Sequence, residues 1–394
     1  MLSSTAQRQI AGVTIAPARC SARRRLRGLW LTLGPPLAAF LLVRVALFIA
    51  ACDAGYPHFR DLSWHRFDSG FYVDSAVHGY TFLRCANPRH GWCGTAGWFP
   101  GYSILIAGLS ALGPTPRQAA ITVSLVFCAG ALIVLWVGLL DRELSARNVL
   151  ALVFAAFVPG HIYDHSVFPL SVASFFVLLA FALLRRRRYA AAGFAGAAAC
   201  MSYPTAVLIA PLTAVWLLYA QRGVAWPLRL RRAALTGGLM SLGLAAVLVI
   251  DKLEVGVWTA YFKVQAHYHH TVRDPFTSWA DIVKPLRHEI DGLASVPALE
   301  AAFVGALIIL LLVHSAWRWR RVSDLELLAL AFAVAVWLFP LSLQTVDIYR
   351  SDALLIPAAL LVRRLPLAVA AVATAGAIAL SVPMAEAFFV RVLG

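Results

Sequence analysis

Charged residues are scarce in this chain of 394 residues: Asp, Glu, Lys and Arg make up 13% of it, and hydrophobic residues make up 61%. Soluble domains carry about 25% charged and roughly 45–50% apolar residues. Negative charges are the rarer kind: the chain has 19 Asp and Glu residues and 34 Lys and Arg residues. This shortage of charge excludes a soluble globular domain, and a mean hydropathy of +0.76 indicates an integral membrane protein.

Several sequence patterns are also missing. There is no Gly-rich phosphate loop, which argues against an ATP-driven machine, and there are no heptads, clear internal repeats or separate soluble domain. The net charge of +15 could suit a nucleic acid, but the Arg residues stand in short runs between apolar segments. That placement is typical of cytoplasmic loops, so we expect no nucleic-acid partner. "SARRRLRG" (21–28) leads into an apolar segment too long for a signal peptide, which predicts an uncleaved anchor.

The apolar runs predict an all-α fold, a polytopic transmembrane helix bundle of about 11 spans with its N-terminus inside. Segment 98–112 is interpreted as an interfacial outer helix, because a span there would put "RRRR" at 185–188 outside. We expect one domain over 1–394 with two long outer loops, 53–117 and 252–295. The predicted spans are 30–52, 118–140, 148–160, 168–184, 189–203, 204–220, 233–251, 296–313, 325–343, 352–362 and 366–388.

Chemistry-bearing residues gather on the predicted outer side. Most Lys and Arg fall in inner loops, whereas every His except His314 and most carboxylates fall outside. We therefore expect an integral protein of a bacterial inner (cell) membrane whose active site lies on the outer face.

The first outer loop holds the richest stretch, "WHRFDSGFYVDSAVHGY" (64–80). It predicts a short helix from Ser69 to His78 that ends at Gly79. Asp68 then stands at the N-cap, as a cap alone or as a general base that Arg66 would hold ionised. Asp74 and His78 share a helix face at i, i+4, so Asp74 is a second base, a metal ligand or a solvated partner of His78.

The second outer loop contains "QAHYHHTVRD" (265–274), which clusters His267, His269, His270 and Arg273. His is a ready zinc ligand, although the His-x-His-His spacing matches no structural zinc pattern. A phosphate subsite and a solvated loop are the other interpretations.

Two single Arg residues lie where a charge needs a partner. Arg350, at the outer mouth of a span, is either an interfacial side chain or a bidentate phosphate clamp. Arg44 lies within the first span, where it needs a lipid phosphate or an inner carboxylate.

Two cysteines, Cys85 and Cys93, bracket "ANPRHGW" in the first outer loop. A disulfide suits the oxidising outer side, and two free thiols are the alternative.

Several motifs in order resemble the PIG-V-like mannosyltransferases, polytopic enzymes of the glycosyltransferase-C superfamily. "WHRFDSGFY" (64–72) with "HGY" (78–80) resembles their R-W-D-x-x-(W/Y)-Y…G-Y signature. Departures are Phe67 in place of Trp, Phe168-Pro169-Leu170 in place of Tyr-Thr-Glu, and Tyr203 in place of Arg. Further resemblances cover nearly the whole chain, at "WFPGYSILI" (98–106), residues 157–211, "VQAHYHH" (264–270) and "IYRSDALLIP" (348–357).

The resemblance implies a membrane glycosyltransferase that moves a sugar, mannose or a similar hexose or pentose, from a polyprenyl-phosphate donor with inversion. The acceptor would be a lipid, glycan or protein on the outer face. Asp68 would be the general base, supported by Arg66, with membrane lipids around the protein and a divalent metal left open. The residues expected to bind substrate are Trp64, Asp74, His78, Tyr80, Gln265, His267, His270, Arg273, Arg350 and Arg44.

Two other functions remain open. A transporter or lipid flippase would concentrate polar groups near the bilayer midplane, whereas here they gather at span ends. A non-catalytic subunit of a glycan-synthesis complex would explain the absent Glu at position 170.

Overall fold

The computed structural model describes residues 18–87, 91–268, 271–287, 292–344 and 348–393, with backbone alone over 18–27. Regular structure in these ranges is almost entirely helical, as predicted, and one short antiparallel pair joins β1 (Leu83–Arg84) to β2 (Trp92–Cys93). The helices are α1 (Ala18–Asp53), α2 (Asp61–Trp64), α3 (Ser69–His78), α4 (Pro100–Ser110), α5 (Pro116–Val134), α6 (Ala146–Ala156), α7 (Ile162–His165), α8 (Leu170–Arg185), α9 (Tyr189–Ser202), α10 (Ile209–Ala220), α11 (Trp226–Val255), α12 (Ala260–Gln265), α13 (Pro275–Val283), α14 (Val296–Trp317), α15 (Asp324–Ser342), α16 (Ile348–Asp352), α17 (Ala359–Val362) and α18 (Leu367–Phe389).

Within the described ranges, six helical segments are long and apolar enough to cross a membrane. They support an integral membrane protein. Four further apolar helical segments have 10–17 residues, so the eleven spans and the inside N-terminus stay predictions. The six long segments are Gly28–Asp53, Pro116–Leu139, Trp226–Val255, Gly292–Trp317, Asp324–Ser342 and Leu367–Phe389.

The first long helix shows how these segments are arranged. On α1, Val43 and Leu47 are completely buried, whereas Leu41 and Val45 are more than half exposed. Both faces are apolar, as expected of a helix that packs on its neighbours with one side and meets lipid with the other.

Local sequence signals start two of the long helices. Thr115 and Gln118 form a capping box at the start of α5, with Pro116 in the first turn. Ser323 and Glu326 form the same reciprocal pair at the start of α15. Each box satisfies backbone N–H groups that the first helical turn leaves without an intrahelical acceptor.

The C-terminal end of α5 continues into a π-helical turn, Leu135–Leu139. Such a turn disturbs the ladder of backbone hydrogen bonds and exposes carbonyl oxygens. Arg185 Nη1 donates to the Gly138 and Leu139 oxygens at 3.0 and 3.2 Å, and Arg363 Nη1 donates to the Leu139 oxygen at 3.2 Å. Two basic side chains therefore tie this turn to the neighbouring segments.

The two long loops predicted on the outer side contact each other. Gln265 Nε2 at the end of α12 donates to the Gly97 carbonyl at 2.6 Å. The backbone N–H of Tyr80 donates to Glu254 Oε2 at 2.6 Å. These contacts between 79–98 and 251–268 bring the second loop over the first.

The sidedness of the loops is open to a labelling experiment. In a chain with Cys20 and Cys52 replaced by Ser, a membrane-impermeant thiol reagent should modify Ala280→Cys in intact cells and should leave Gly223→Cys unmodified. Both positions are exposed. Reversed labelling would mean that segment 98–112 crosses the membrane.

Candidate functional site

Asp68 occupies the N-cap position of α3, and the helix runs from Ser69 to His78 before Gly79 takes a φ of +76°, as the sequence predicts. Among the described residues, no backbone N–H of α3 is capped by the Asp68 side chain. Its Oδ2 instead accepts a hydrogen bond from Arg350 Nη1 at 2.5 Å. The hydrogen bond expected of a helix cap is therefore absent, and the Asp68 carboxylate instead pairs with Arg350, which lies near the end of the chain.

Aromatic rings wall this ion pair. The Arg350 guanidinium carbon lies 5.7 Å from the ring centroids of Phe67 and Tyr163 and 5.6 Å from that of Phe168. Such contacts attract the cation to the ring faces, and the apolar surroundings strengthen its electrostatic interactions. The Arg350 side chain is 12% exposed and that of Asp68 is 30% exposed, so the pair is shielded on the arginine side and open on the carboxylate side.

The backbone before Asp68 is strained. Phe67 has a φ of +50°, a region that bulky residues rarely adopt. Its ring packs edge-on against Phe388 of α18 with centroids 5.6 Å apart. Strained residues of this kind cost on the order of 1–3 kcal/mol and gather at functional sites. Here the unusual turn lies where the Phe67 ring and the Asp68 carboxylate both contact the Arg350 guanidinium.

Arg350 is held by the residues on either side of it in α16. The Tyr349 ring stacks on Tyr163 with centroids 5.9 Å apart. Ser351 Oγ lies 3.2 Å from Thr205 Oγ1. Close approach of the chain also requires glycine at Gly160, where a Cβ would lie 2.1 Å from the Tyr349 carbonyl oxygen and φ is +78°.

Two tyrosines face the pair from different loops. Burial raises the pKa of the Tyr72 hydroxyl, and the Asp68 charge raises it further. Burial and then the Asp68 charge also raise the pKa of Tyr268, which comes from the second long loop and is 46% exposed. Both hydroxyls therefore stay protonated at neutral pH and can donate hydrogen bonds beside the carboxylate.

The structure places Arg66 elsewhere than the sequence suggests. Its guanidinium carbon lies 4.6 Å from the centroid of the Tyr56 ring, and its side chain is buried. The cation paired with Asp68 is Arg350. The prediction that Arg66 keeps the Asp68 carboxylate ionised is not supported by a contact between the two side chains and stays a prediction.

Arg44 and Trp64 form a separate cluster with His58. Arg44 Nη2 lies 2.8 Å from His58 Nε2, and the guanidinium carbon lies 4.6 Å from the Trp64 ring centroid. Trp64 Nε1 donates to the His58 carbonyl at 2.7 Å. Burial, and then the Arg44 charge, lowers the pKa of His58 to about 4, so the ring is neutral and can accept from Arg44.

The other predicted site residues lie in their own contacts. Asp74 and His78 pair at 2.8 Å and are both well exposed. Arg273 Nη1 pairs with Asp281 Oδ2 at 2.7 Å, and the Tyr80 hydroxyl donates to the Trp98 carbonyl. His270 and His269 lie outside the described residues.

Cys85 and Cys93 are joined by a disulfide that closes the short β1–β2 hairpin. Their sulfur atoms and a ring nitrogen of His267 all lie within 4.8 Å of one another. In the part of the chain that the structure describes, this is the one group of three ligand-type side chains so closely spaced. The sulfurs bond to each other and are not thiolate ligands, so this arrangement does not fit a resident metal.

Sequence reasoning missed Tyr72, Tyr163, Phe168 and Tyr268 as neighbours of the ion pair. Tyr72 had a usable signal, because it stands one helical turn after Asp68. Phe168 stands within a motif that the resemblance covers, where its ring now packs on Arg350. Tyr268 had no such signal, since only the folding of one loop over the other brings it close.

Comparison with known proteins adds a likeness in fold. No protein-family model matches the chain, and no curated protein matches it in sequence. Its structure is similar to an Archaeoglobus fulgidus oligosaccharyltransferase tethered through a disulfide to an acceptor peptide containing the NVT sequon, with a TM-score of 0.49 and 13% identity. The match covers 91% of this chain and 56% of that enzyme, so the chain spans little more than half of its length. At this level of similarity we transfer neither activity nor site residues.

Proposed function

We propose that the protein is a membrane glycosyltransferase that moves a sugar from a polyprenyl-phosphate donor to an acceptor hydroxyl, with Asp68 as general base. The observation that carries the proposal is the Asp68–Arg350 pair, walled by aromatic rings and open on the carboxylate side. The apolar helices suit a lipid-linked donor. The resemblance to PIG-V-like mannosyltransferases, on motifs that include both residues, supports mannose or a related sugar.

Asp68 supplies what the attacking hydroxyl needs. A carboxylate at the surface of the site can take the acceptor proton while the oxygen attacks the anomeric carbon. Attack from the face opposite the phosphate inverts that carbon. Burial and then the Asp68 charge raise the pKa of both Tyr72 and Tyr268, so their hydroxyls stay protonated and can orient sugar oxygens by donating hydrogen bonds.

Arg350 meets the charge of the leaving phosphate. A guanidinium has five N–H donors in a planar fork that matches phosphate oxygens. A phosphate bound there competes with Asp68 for the guanidinium, and the carboxylate oxygen that it displaces becomes available to the acceptor hydroxyl. Donor binding and activation of the base are thereby coupled in one residue pair.

The proposal places the site on the outer face of a bacterial inner membrane, where the two long loops meet. Lipid access beside the site serves a polyprenyl tail, and the acceptor arrives from the aqueous side as a lipid, glycan or protein. The Cys85–Cys93 disulfide within the first long loop suits an oxidising exterior.

The test offers the purified protein a polyprenyl-phosphate sugar and the matching nucleotide sugar side by side, with candidate acceptors, and analyses products by mass spectrometry. We expect transfer from the lipid donor alone and a product of inverted anomeric configuration. Transfer from the nucleotide sugar alone contradicts the proposal. Movement of the intact lipid donor across a vesicle membrane without transfer overturns it in favour of a flippase.

A further inference from the structure

Two carboxyl groups lie next to each other in the interior, beside the site. Glu300 of α14 is 0% exposed and Asp352, the last residue of α16, is 1% exposed. Their side chains lie within hydrogen-bond reach of each other. Among the described residues, no N–H or O–H group donates to either Glu300 oxygen or to Asp352 Oδ2.

This contact requires a proton. An ionised carboxylate can only accept hydrogen bonds, so two ionised carboxylates cannot hydrogen-bond to each other. Two adjacent carboxyl groups removed from water cannot both be ionised, because desolvation and mutual repulsion both disfavour the second charge. We propose that Glu300 and Asp352 share a proton and that this hydrogen-bonded pair positions Arg350 against Asp68.

A shared proton explains the pair better than a bound metal ion. Calcium takes 6–8 oxygen ligands and magnesium demands a near-complete octahedron. In the part of the chain that the structure describes, no third His, Cys, Asp or Glu places a ligand atom within 4.8 Å of both carboxyl groups. A proton satisfies two oxygens with no further ligand.

The position of Asp352 makes the pair relevant to Arg350. The helix α16 has only five residues, too few to be stable by itself, so its placement depends on contacts to other elements. Tyr349 stacks on Tyr163, Ser351 lies against Thr205, and Asp352 joins α16 to α14. The consequence for catalysis rests on the proposed function, whereas the shared proton and the placement of Arg350 do not.

The first measurement detects the shared proton without any activity assay. The infrared spectrum of the purified protein, compared with that of Glu300→Gln, should contain a carbonyl band of a carboxylic acid that shifts in D₂O and is lost in the variant. A difference spectrum without such a band overturns the shared proton. Glu386→Gln, a partly buried glutamate of α18, is the matched control and should leave the band in place.

The second measurement tests positioning through stability. The double variant Glu300→Met, Asp352→Leu removes both carboxyl groups and fills their space with apolar side chains of similar volume. Folded proteins often tolerate such replacements of buried charged pairs. Arg350→Ala, which leaves the Asp68 charge without its cation, should then shift the melting temperature less in this background than in the wild type, because Arg350 is no longer held against Asp68. Equal shifts in the two backgrounds would mean that the sites are independent and would overturn positioning.

The third measurement is kinetic and uses the polyprenyl-phosphate donor. Glu300→Gln supplies an amide N–H in place of the shared proton and should keep kcat within about twofold. The double apolar variant should lose kcat by roughly 10- to 100-fold with little change in KM, since a small misplacement of a catalytic group can cost about 10²-fold. A wild-type kcat in the double variant contradicts positioning. A wild-type protein inactive with every donor, yet showing the infrared band and the coupled melting shifts, would refute the proposed function and leave this inference standing.

Discussion

Asp68→Asn is expected to lower kcat for sugar transfer by about 10²- to 10⁴-fold, the usual loss when a general base is removed. The amide cannot take the acceptor proton, but its oxygen can still accept from Arg350, which bonds Asp68 at 2.5 Å. Because Asp68 gives α3 no side-chain cap, the helix should form as before. Expression and melting temperature should therefore stay close to those of the wild type while turnover is lost.

The measurement is single-turnover transfer from the polyprenyl-phosphate donor, with circular dichroism to check folding. Asp53→Asn, an exposed carboxylate at the end of α1, is the matched control and should leave turnover unchanged. Near wild-type turnover in Asp68→Asn would make the catalytic assignment wrong. Asp68→Ala that unfolds while its residual folded fraction keeps full activity would restore the purely structural interpretation.

Arg350→Ala is expected to lose about 10²- to 10³-fold in kcat, the range measured when one preorganised donor to a developing charge is removed. Arg350→Lys keeps the charge but lacks the planar fork and the packing against Phe67, Tyr163 and Phe168, so it should lose at least roughly tenfold. A compact ammonium cannot reproduce the geometry of the guanidinium toward Asp68 or toward the phosphate that displaces it. We therefore expect kcat to fall in the order wild type, Arg350→Lys, Arg350→Ala.

Arg117→Lys, an exposed arginine of the first long loop, is the control for this pair and should behave as the wild type. Donor binding, measured with a non-hydrolysable polyprenyl-phosphate analogue, should weaken in the order of the kinetic losses. If Arg350→Ala turns over the lipid donor at the normal rate, phosphate is held elsewhere. Equal rates for Arg350→Lys and Arg350→Ala would mean that the positive charge without the planar fork contributes nothing.

The sequence was enough to predict the helical class and the local structure around Asp68. The end of α3 before Gly79 is predictable because glycine readily takes the positive φ found there. Its start at Ser69 was predicted from a cap at Asp68, and the boundary is correct although the side-chain cap hydrogen bond does not form. Apolar runs likewise located the long helices to within a few residues, with two exceptions. The helix α1 begins at Ala18, twelve residues before the predicted span, and α11 begins at Trp226, seven residues before the predicted span. Basic residues in the first turns of both helices hid these extensions.

The partner of Asp68 was not predictable from chain order. Arg66 lies two residues away and was the natural choice, but its guanidinium lies over the Tyr56 ring instead. Arg350 lies 282 residues further on and was recognised only as a phosphate ligand. Which of two arginines reaches a carboxylate depends on tertiary packing, which residue types and spacing do not specify.

The sequence indicates only one member of the buried carboxyl pair, Glu300. Glu300 is an isolated acid in an otherwise apolar run, and an ionisable residue in such a run is a functional candidate with a partner to be found. In the sequence, Asp352 lies two residues after Arg350, so the obvious partner for its charge is that arginine. Only the structure shows that Asp352 turns inward to α14 while Arg350 turns to Asp68.

The separation of 282 residues between Asp68 and Arg350 has a consequence for biosynthesis. At about 5–20 residues per second, the ribosome reaches position 350 roughly 15 s to 1 min after position 68. Throughout that interval Asp68 has no arginine beside it, and Phe67 also lacks Phe388, which is made later still. A nascent chain with all but its last helices inserted would therefore lack both the Asp68–Arg350 pair and the Phe67–Phe388 contact, so under the proposed function a partly synthesised protein would not turn over the donor.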